Sequence, residues 1–440
     1  MKNWTDPFEV YYDLSRLVER MHAGHATGVD RVDLHYALWT RARANEWRGV
    51  VQRSNGFVLL KEDYVDTLLE LLSRGWLGFD AESTASILEQ PRGWRRESRM
   101  ALREKFARGS FGGVVAERGF AVALWSRLSC FSRGSCARWE GSENAMYVNI
   151  GHCFRFECAL DSITDNTRRI YFLHDVIPLT HPEYQKPTSA AHFKKFYKYV
   201  GHPKSNVLVS SRSTARAIEV LRNGERKYSD SVASVQVLPL AVEDSFRAKL
   251  VEASGAKYYR GKKTKRYFLS VGTLEPRKNI DVLLSVWEQM SAMDIEVPSL
   301  LLAGKLGWFQ PGQRERLKKL ESSGLVEVRT GLEDSDLQSL MHGACALLFP
   351  SVAEGWGLPL TEALSLGVPV LASDLPVFRE VGQGVPELLS PHAVELWRDA
   401  VLDYCSPDSG RRHEQMQRLS SYQPVTWEEH FEQLSRVLEN

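Results

Sequence analysis

Two carboxylates, Glu354 and Glu362, stand eight residues apart in S-V-A-E-G-W-G-L-P-L-T-E-A-L-S-L-G-V-P-V-L-A-S-D, Ser351 to Asp374. Gly355 and Gly357 lie between them and let the backbone come close to a ligand. A carboxylate can accept two hydroxyl hydrogen bonds, which suits a sugar or a ribose. An ordinary loop-helix-strand unit with solvated glutamates would read similarly. A second group is T-L-E-P-R-K-N, Thr273 to Asn279, which places Arg277 and Lys278 at a helix start. Two cations beside helix-start N–H groups are a receptor for a diphosphate, or else solvated charges on a capped helix. A third is His174-Asp175, directly before V-I-P. Such a pair is more often structural, but its place at a strand end raises the functional reading. A fourth is Gly28 to Arg31, where a glycine opens a helix and Arg31 is available to a phosphate or sugar.

The elements that hold these residues follow from the spacing, which predicts strands at 8–14, 57–60, 146–150, 169–173, 205–210 and 235–238. Helices are expected from Gly28, over 66–72 and over 214–221. The polar, basic stretch Ala253 to Arg266 reads as a linker. After it, strands are expected at 267–271, 299–303, 326–329, 346–349 and 368–372. Helices at 279–290, 310–320, 334–341 and 360–366 alternate with them. A final amphipathic helix covers 425–438. Strands alternating with helices indicate an α/β fold with parallel, doubly wound sheets. In such sheets ligands sit beyond the C-terminal strand ends, where every motif above falls. The expected domains are 1–255, 256–425 and a helix at 426–440 that packs back on the first domain.

The chain has 440 residues, which favours two domains over one core, and its net charge of +1 gives no global attraction to nucleic acid. Charge is uneven, however. From Pro91 to Trp139 eleven Arg or Lys residues face three Glu, about +8. These basic residues and the aromatics of 74–140 suggest an anionic membrane surface or a lipid-linked acceptor, with a solvated basic insertion as the alternative. There is no 18-residue apolar run and no signal-peptide pattern at the N-terminus, so cytoplasmic residence is expected. The six cysteines include no CxxC pair, and neither a disulfide scaffold nor a metal site is expected. No GxxxxGK[ST] loop is present, which disfavours a kinase or ATPase, and no GxGxxG follows the first strand of either domain, which disfavours a dinucleotide oxidoreductase.

The motifs together resemble family 4 glycosyltransferases, retaining enzymes of the GT-B architecture with two Rossmann-like domains. The resemblance rests on G-T-L-E-P-R-K-N, A-G-K-L-G-W near Ala303, G-L-E-D-S-D-L near Gly331 and the Glu354–Glu362 element. In the N-terminal half it rests on T-G-V-D-R-V and Y-F-L-H-D-V-I-P-L-T-H-P-E, the latter similar to bacterial mannosyl- and surface-polysaccharide transferases. The resemblance implies that Arg277 and Lys278 bind the donor diphosphate, that Glu354 contacts the transferred sugar and that Glu362 binds the nucleotide ribose. Phe349, Leu358 and Pro359 would shape the nucleotide and sugar pocket, and Gly357 would let the backbone come close to the donor. His174 would lie near the reacting sugar, with Asp175 orienting it or the acceptor, and Gly28 would give the donor phosphates close access. Thr273 stands where many members have arginine, so the phosphate role shifts to Arg277 and Lys278, with Lys305 a further cation. Trp356 replaces a common phenylalanine. The implied donor is a nucleotide sugar, GDP-mannose in first place with UDP-sugars open, and no metal is expected. The implied acceptor is a lipid-linked glycan. Other readings are a sucrose- or glycogen-type synthase, a noncatalytic sugar-nucleotide-binding protein and a two-domain epimerase.

Overall fold

The computed structural model describes residues 9–21, 26–77, 144–224, 234–247 and 266–439. The basic segment expected at 74–140 and the linker before Arg266 lie almost wholly outside the described residues. The chain divides into two compact units. The first is Met1–Leu173 with Phe196–Leu208 and Ser231–Ser234; the second is His174–Lys195 with Val209–Asp230 and Val235–Asn440.

Strands β1 (Glu9–Asp13), β2 (Glu46–Arg53), β3 (Gly56–Leu59), β4 (Ala145–Asn149), β5 (Arg168–Leu173), β6 (Ser205–Val209) and β7 (Ser234–Val237) form a seven-stranded sheet. Its order is β3-β2-β1-β4-β5-β6-β7. The pairs β1/β2, β1/β4 and β4/β5 are parallel, whereas β2 and β3 form an antiparallel hairpin. The strand β2 was not expected, because E-W-R-G-V-V-Q-R mixes charge with apolar residues and lacks strict alternation. Asp13 ends β1 fully buried, where its Oδ2 accepts from Gln52 Nε2 (2.6 Å), Tyr147 OH (2.5 Å) and Asn149 Nδ2 (3.2 Å). These bonds tie the ends of β1, β2 and β4 together around one carboxyl.

Strands β8 (Tyr267–Val271), β9 (Ser299–Ala303), β10 (Val326–Arg329), β11 (Leu347–Phe349), β12 (Val370–Ser373) and β13 (Glu387–Leu389) form a parallel sheet of order β10-β9-β8-β11-β12-β13. Counted within the sheet this is 3-2-1-4-5-6, the doubly wound Rossmann order, with its switch point between β8 and β11. Three of its strands fall where the sequence places them, since F-L-S-V and L-L-L-A are continuous apolar runs that suit a sheet covered on both faces. The strand β13 and the helices Val394–Cys405 and Gly410–Leu419 were not expected. Trp287 and Trp397, both fully buried, anchor the core on one face of this sheet. Trp287 Nε1 donates to Pro298 O at 2.8 Å, so its one polar atom is satisfied. The helix Trp427–Glu439 closes the chain, with His430 Nδ1 2.7 Å from Pro239 O. Among the described residues no helix is long and apolar enough to cross a membrane.

Candidate functional site

The site is built on the loops that follow β8, β9 and β11, around the switch point of the second sheet. Gly272 follows β8 at φ +142°, and Gly304 follows β9 at φ +154°. A Cβ at Gly304 would lie 1.9 Å from Gly272 O, so the two loops run backbone against backbone and only glycine fits. Leu274 N then donates to Lys305 O at 2.8 Å, and Gly307 N to Leu274 O at 3.1 Å. Pro276–Lys278 is a 3-10 turn that ends at Asn279 in the left-handed region, φ +53°. Asn279 Nδ2 donates to Pro350 O (3.1 Å) and Pro391 O (2.7 Å), while Val352 N donates to Arg277 O (2.9 Å). The β8 loop is thereby stitched to the β11 loop, and their side chains meet.

They meet at Glu354. Arg277 Nη1 is 2.8 Å from Glu354 Oε2, Lys278 Nζ is 2.5 Å from Oε1, and Ser351 Oγ donates to Oε1 at 2.9 Å. Arg277 Nε also pairs with Glu275 at 2.8 Å, and Lys278 Nζ sits 4.7 Å from the centre of the Phe349 ring. The Glu354 side chain is 9% exposed and Lys278 13%. Burial pushes the Glu354 carboxyl up, but Arg277, Lys278 and the bonds from Lys278 and Ser351 outweigh it and hold it at about 2. Burial likewise works against Arg277, yet Glu354 and Glu275 raise it above the ordinary guanidinium value. The cluster therefore sets the carboxyls of Glu354 and Glu275 against Arg277 and Lys278, and burial lowers the Lys278 ammonium pKa despite the opposing charge of Glu354.

The segment Gly355–Gly357 is fixed by close approaches. A Cβ at Gly355 would lie 2.0 Å from His174 O and 2.9 Å from Asp175 Cβ. Its carbonyl accepts from Ser211 Oγ (2.8 Å), Ser210 Oγ (3.2 Å) and Thr214 Oγ1 (3.4 Å). All of these residues belong to the second unit. His174 and Asp175 follow β5, the former 9% exposed. Asp175 Oδ1 accepts from Ile177 N at 3.0 Å, and burial raises its carboxyl pKa despite the opposing charge of Arg277. His174, Asp175, Arg277, Lys278 and Glu354 thus share one neighbourhood.

Gly357, at φ +100°, precedes the helix Leu358–Ser365, and its Cα packs against Phe349 and Phe378, whose rings lie 5.1 Å apart. That helix ends at Gly367, φ +76°, with Val368 N bonded to Ala363 O and Gly367 N to Leu364 O, a Schellman stop. Glu362 is on this helix, 5% exposed, and Leu358 is half-buried at its start. Thr273 and Lys305 are exposed on the paired loops. Gly28 belongs to the first unit, where it opens the helix Gly28–Arg43 behind an N-cap at Thr27 and a capping box with Asp30. Asp30 also receives Arg16 (2.7 Å) and Arg20 (3.1 Å).

Sequence reasoning passed over Glu275, Asn279, Ser351 and the Ser210/Ser211/Thr214 hydroxyls. Glu275 and Asn279 lie inside the quoted motif, and S-S-R-S-T follows a strand, so position was the available signal. A cavity of about 390 Å³ adjoins the turn, lined by Trp356, Thr361, Arg212, Tyr422 and Gln433 among others, but not by Glu354 or the two cations. Trp356 Nε1 is buried there without a hydrogen-bond partner among the described residues. No group of three His, Cys, Asp or Glu side chains among the described residues could hold a metal ion.

Two α/β sheets with this strand order make the fold GT-B. HepE of Anabaena, solved with UDP and glucose, shares it at TM-score 0.57 over 98% of this chain and 99% of that chain, at 14% identity. Residues 257–402 match the model of the family "Glycosyl transferases group 1". The O-antigen chain mannosyltransferase B of Escherichia coli is 30% identical over 162 residues, 37% of this chain and 42% of that protein. The serotype-specific mannosyltransferase WbdA of Escherichia coli is 27% identical over 288 residues, 63% of this chain and 34% of that protein. The chain thus spans less than half the length of these curated relatives.

Proposed function

We propose that this protein is a retaining, nucleotide-sugar-dependent glycosyltransferase. It moves mannose from GDP-mannose to a hydroxyl of a lipid-linked glycan in bacterial surface-polysaccharide assembly. The observation that carries the reading is the Arg277–Lys278–Glu354 cluster at the β8/β11 switch point, the position where doubly wound sheets bind ligands. The family match over 257–402 and the mannosyltransferase relatives support both the class and the sugar. The UDP and glucose named with HepE support a nucleotide-sugar donor in general.

In this reading the donor diphosphate competes with Glu354 for Arg277 and Lys278. Engagement of the two cations stabilises the charge that develops on the leaving nucleoside diphosphate, and the released Glu354 carboxylate turns to the sugar hydroxyls. Glu362 holds the ribose, and Phe349, Gly357 and Leu358 wall the donor. Thr273 and Lys305 flank the phosphates. His174 borders the reacting sugar and Asp175 orients it. The acceptor hydroxyl attacks from the face the leaving group departs, and a phosphate oxygen takes the proton. The protein works on the cytoplasmic side of the membrane, in peripheral contact with anionic lipid.

The test is a donor screen with purified full-length protein. It measures nucleoside diphosphate release from GDP- and UDP-sugars with lipid-linked glycan extracts. Release from GDP-mannose that depends on acceptor is expected. Turnover with a UDP-sugar alone overturns the donor assignment, and no turnover of any nucleotide sugar overturns the class.

A further inference from the structure

The cavity of about 390 Å³ beside the Gly355–Gly357 turn is lined neither by Glu354 nor by the two cations, and its lining belongs wholly to the second unit. Its volume falls within the ~300–1,000 Å³ of small-molecule sites. The buried part of the lining is aromatic and aliphatic: Trp356 and Tyr422 are each 9% exposed, Leu240 and Val381 each 4%. Trp356 Nε1 is buried without a hydrogen-bond partner among the described residues. The rest of the lining is polar, with Arg212 and Gln423 exposed and Gln433 half-buried. Two side chains are committed to holding the wall. Gln383, at φ +53°, donates from Nε2 to Gln423 O (2.8 Å), and its Oε1 accepts from Gln423 N (3.1 Å). The Glu380 carboxylate accepts from Arg212 N (2.8 Å) and Ser213 N (3.2 Å). A left-handed non-glycine residue persists only where its surroundings hold it, so this wall is set before any ligand arrives.

We propose that this cavity is a second binding site, which takes a neutral sugar ring of a glycan. A pyranose has an apolar C–H face and a rim of hydroxyls that both donate and accept. Trp356, Tyr422 and the aliphatic wall suit the C–H face. The amides of Gln423 and Gln433 offer donors and acceptors together, which hydroxyls need. A hydroxyl that accepts from Trp356 Nε1 gives that donor the partner it lacks. Charge argues for a neutral ligand, because the lining sets the Glu380 carboxylate against the Arg212 guanidinium and favours neither a phosphate nor an acidic sugar. The cavity also shares a segment with the donor turn, since Trp356 follows Glu354 closely and Thr361 directly precedes Glu362. In the transferase reading the ring is a unit of the acceptor glycan, held apart from the cation cluster. That attribution rests on the function proposed above, whereas binding of the sugar does not.

The experiment is saturation-transfer NMR on the full chain with methyl α-mannoside, methyl α-glucoside and glucuronate, each with and without saturating GDP. Transfer to at least one of the neutral pyranosides, persisting in GDP, is expected. Gln433→Trp fills the cavity and should abolish that transfer while keeping a cooperative unfolding transition. Trp356→Phe should weaken binding about fivefold, the worth of one neutral hydrogen bond, and unchanged affinity overturns the role given to Nε1. The site itself is overturned if neither neutral pyranoside shows transfer in wild type, or if folded Gln433→Trp binds as wild type does. Displacement by GDP overturns it as well, by moving the sugar to the cation cluster, and tighter binding of glucuronate overturns its neutral character. The wild-type arms do not depend on either variant folding. Nucleotide-sugar turnover enters none of these outcomes, so the transferase reading stands or falls by the donor screen alone.

Discussion

Glu354 concentrates the residue-scale chemistry. Its carboxylate is the shared anion of two buried cations, so its removal does more than delete a contact. Glu354→Gln leaves Arg277 with Glu275 and leaves Lys278 without its anion. Breaking such a pair costs roughly 3–5 kcal/mol. Urea unfolding should register that loss, and donor turnover should fall with it. Lys278→Ala keeps the Arg277–Glu354 bond and should spare most of the stability, while turnover drops about 100-fold or more for want of a phosphate contact. The pH dependence follows from the depressed Glu354 carboxyl, at about 2 against 4.5 for a free glutamate. A carboxyl depressed on folding stabilises the protein above its unfolded value. That contribution, about 3 kcal/mol, is lost as pH falls from 4.5 towards 2. Wild type should lose stability across this window more steeply than Glu354→Gln, and equal slopes would remove the ion pair from the account. Trp356 makes the opposite case. Its Nε1 has no hydrogen-bond partner among the described residues and adjoins the cavity of about 390 Å³. Trp356→Phe keeps the ring and deletes the donor, so its melting temperature should match or exceed that of wild type.

At the scale of elements, glycines set which loops can meet. A Cβ at Gly355 meets the His174 carbonyl at 2.0 Å, and one at Gly304 meets the Gly272 carbonyl at 1.9 Å. Both obstacles are backbone, which cannot swing aside. Gly355→Ala and Gly304→Ala should each lower thermal stability sharply and abolish donor binding. Gly312 has a positive φ of +78° but open space around it, so Gly312→Ala should cost only about 1 kcal/mol of backbone strain. Differential scanning fluorimetry of the three variants separates close approach from conformation. The same distinction explains what could be read from sequence. Strands β8, β9 and β10 were legible because they are short runs bounded by Gly or turn residues, and the motif at 272–279 was legible by its place after β8. The hairpin strand β2 was not, since Glu46 and Arg48 are exposed but Gly49, Val50, Val51 and Gln52 are buried in succession, so no sustained alternation marks it. The helix Pro187–Val200 was missed because K-K-F-Y-K-Y mixes lysine with aromatics and blurs the apolar stripe. The ion cluster lay further out of reach. Arg277 and Glu354 are 77 positions apart, and only the parallel register of β8 beside β11 brings their loops together.

For the whole molecule, the net charge of +1 means that long-range steering contributes little to capture of an anionic donor. Affinity must come from local groups, and those assigned to the diphosphate are already occupied by Glu354 in the free protein. Binding therefore exchanges one anion for another instead of filling an empty site, and the gain must come from the base, ribose and sugar as well as the phosphates. A ligand that binds only the folded state raises stability by RT ln(1 + [L]/Kd), about 2.7 kcal/mol at a hundred-fold excess over Kd. GDP should accordingly raise the unfolding midpoint of the full chain more than UDP at equal concentration, with GDP-mannose above GDP. Lys278→Ala should erase most of the GDP shift, since its lost cation is one of the two that hold the diphosphate. A larger shift with UDP reassigns the base, and a wild-type midpoint unmoved by either nucleotide removes the diphosphate from this cluster. Raising the salt from 50 to 500 mM should weaken the GDP shift only modestly, because the receiving cations are 13% and 19% exposed and poorly screened. A shift that vanished in salt would instead place the nucleotide on solvated surface charge.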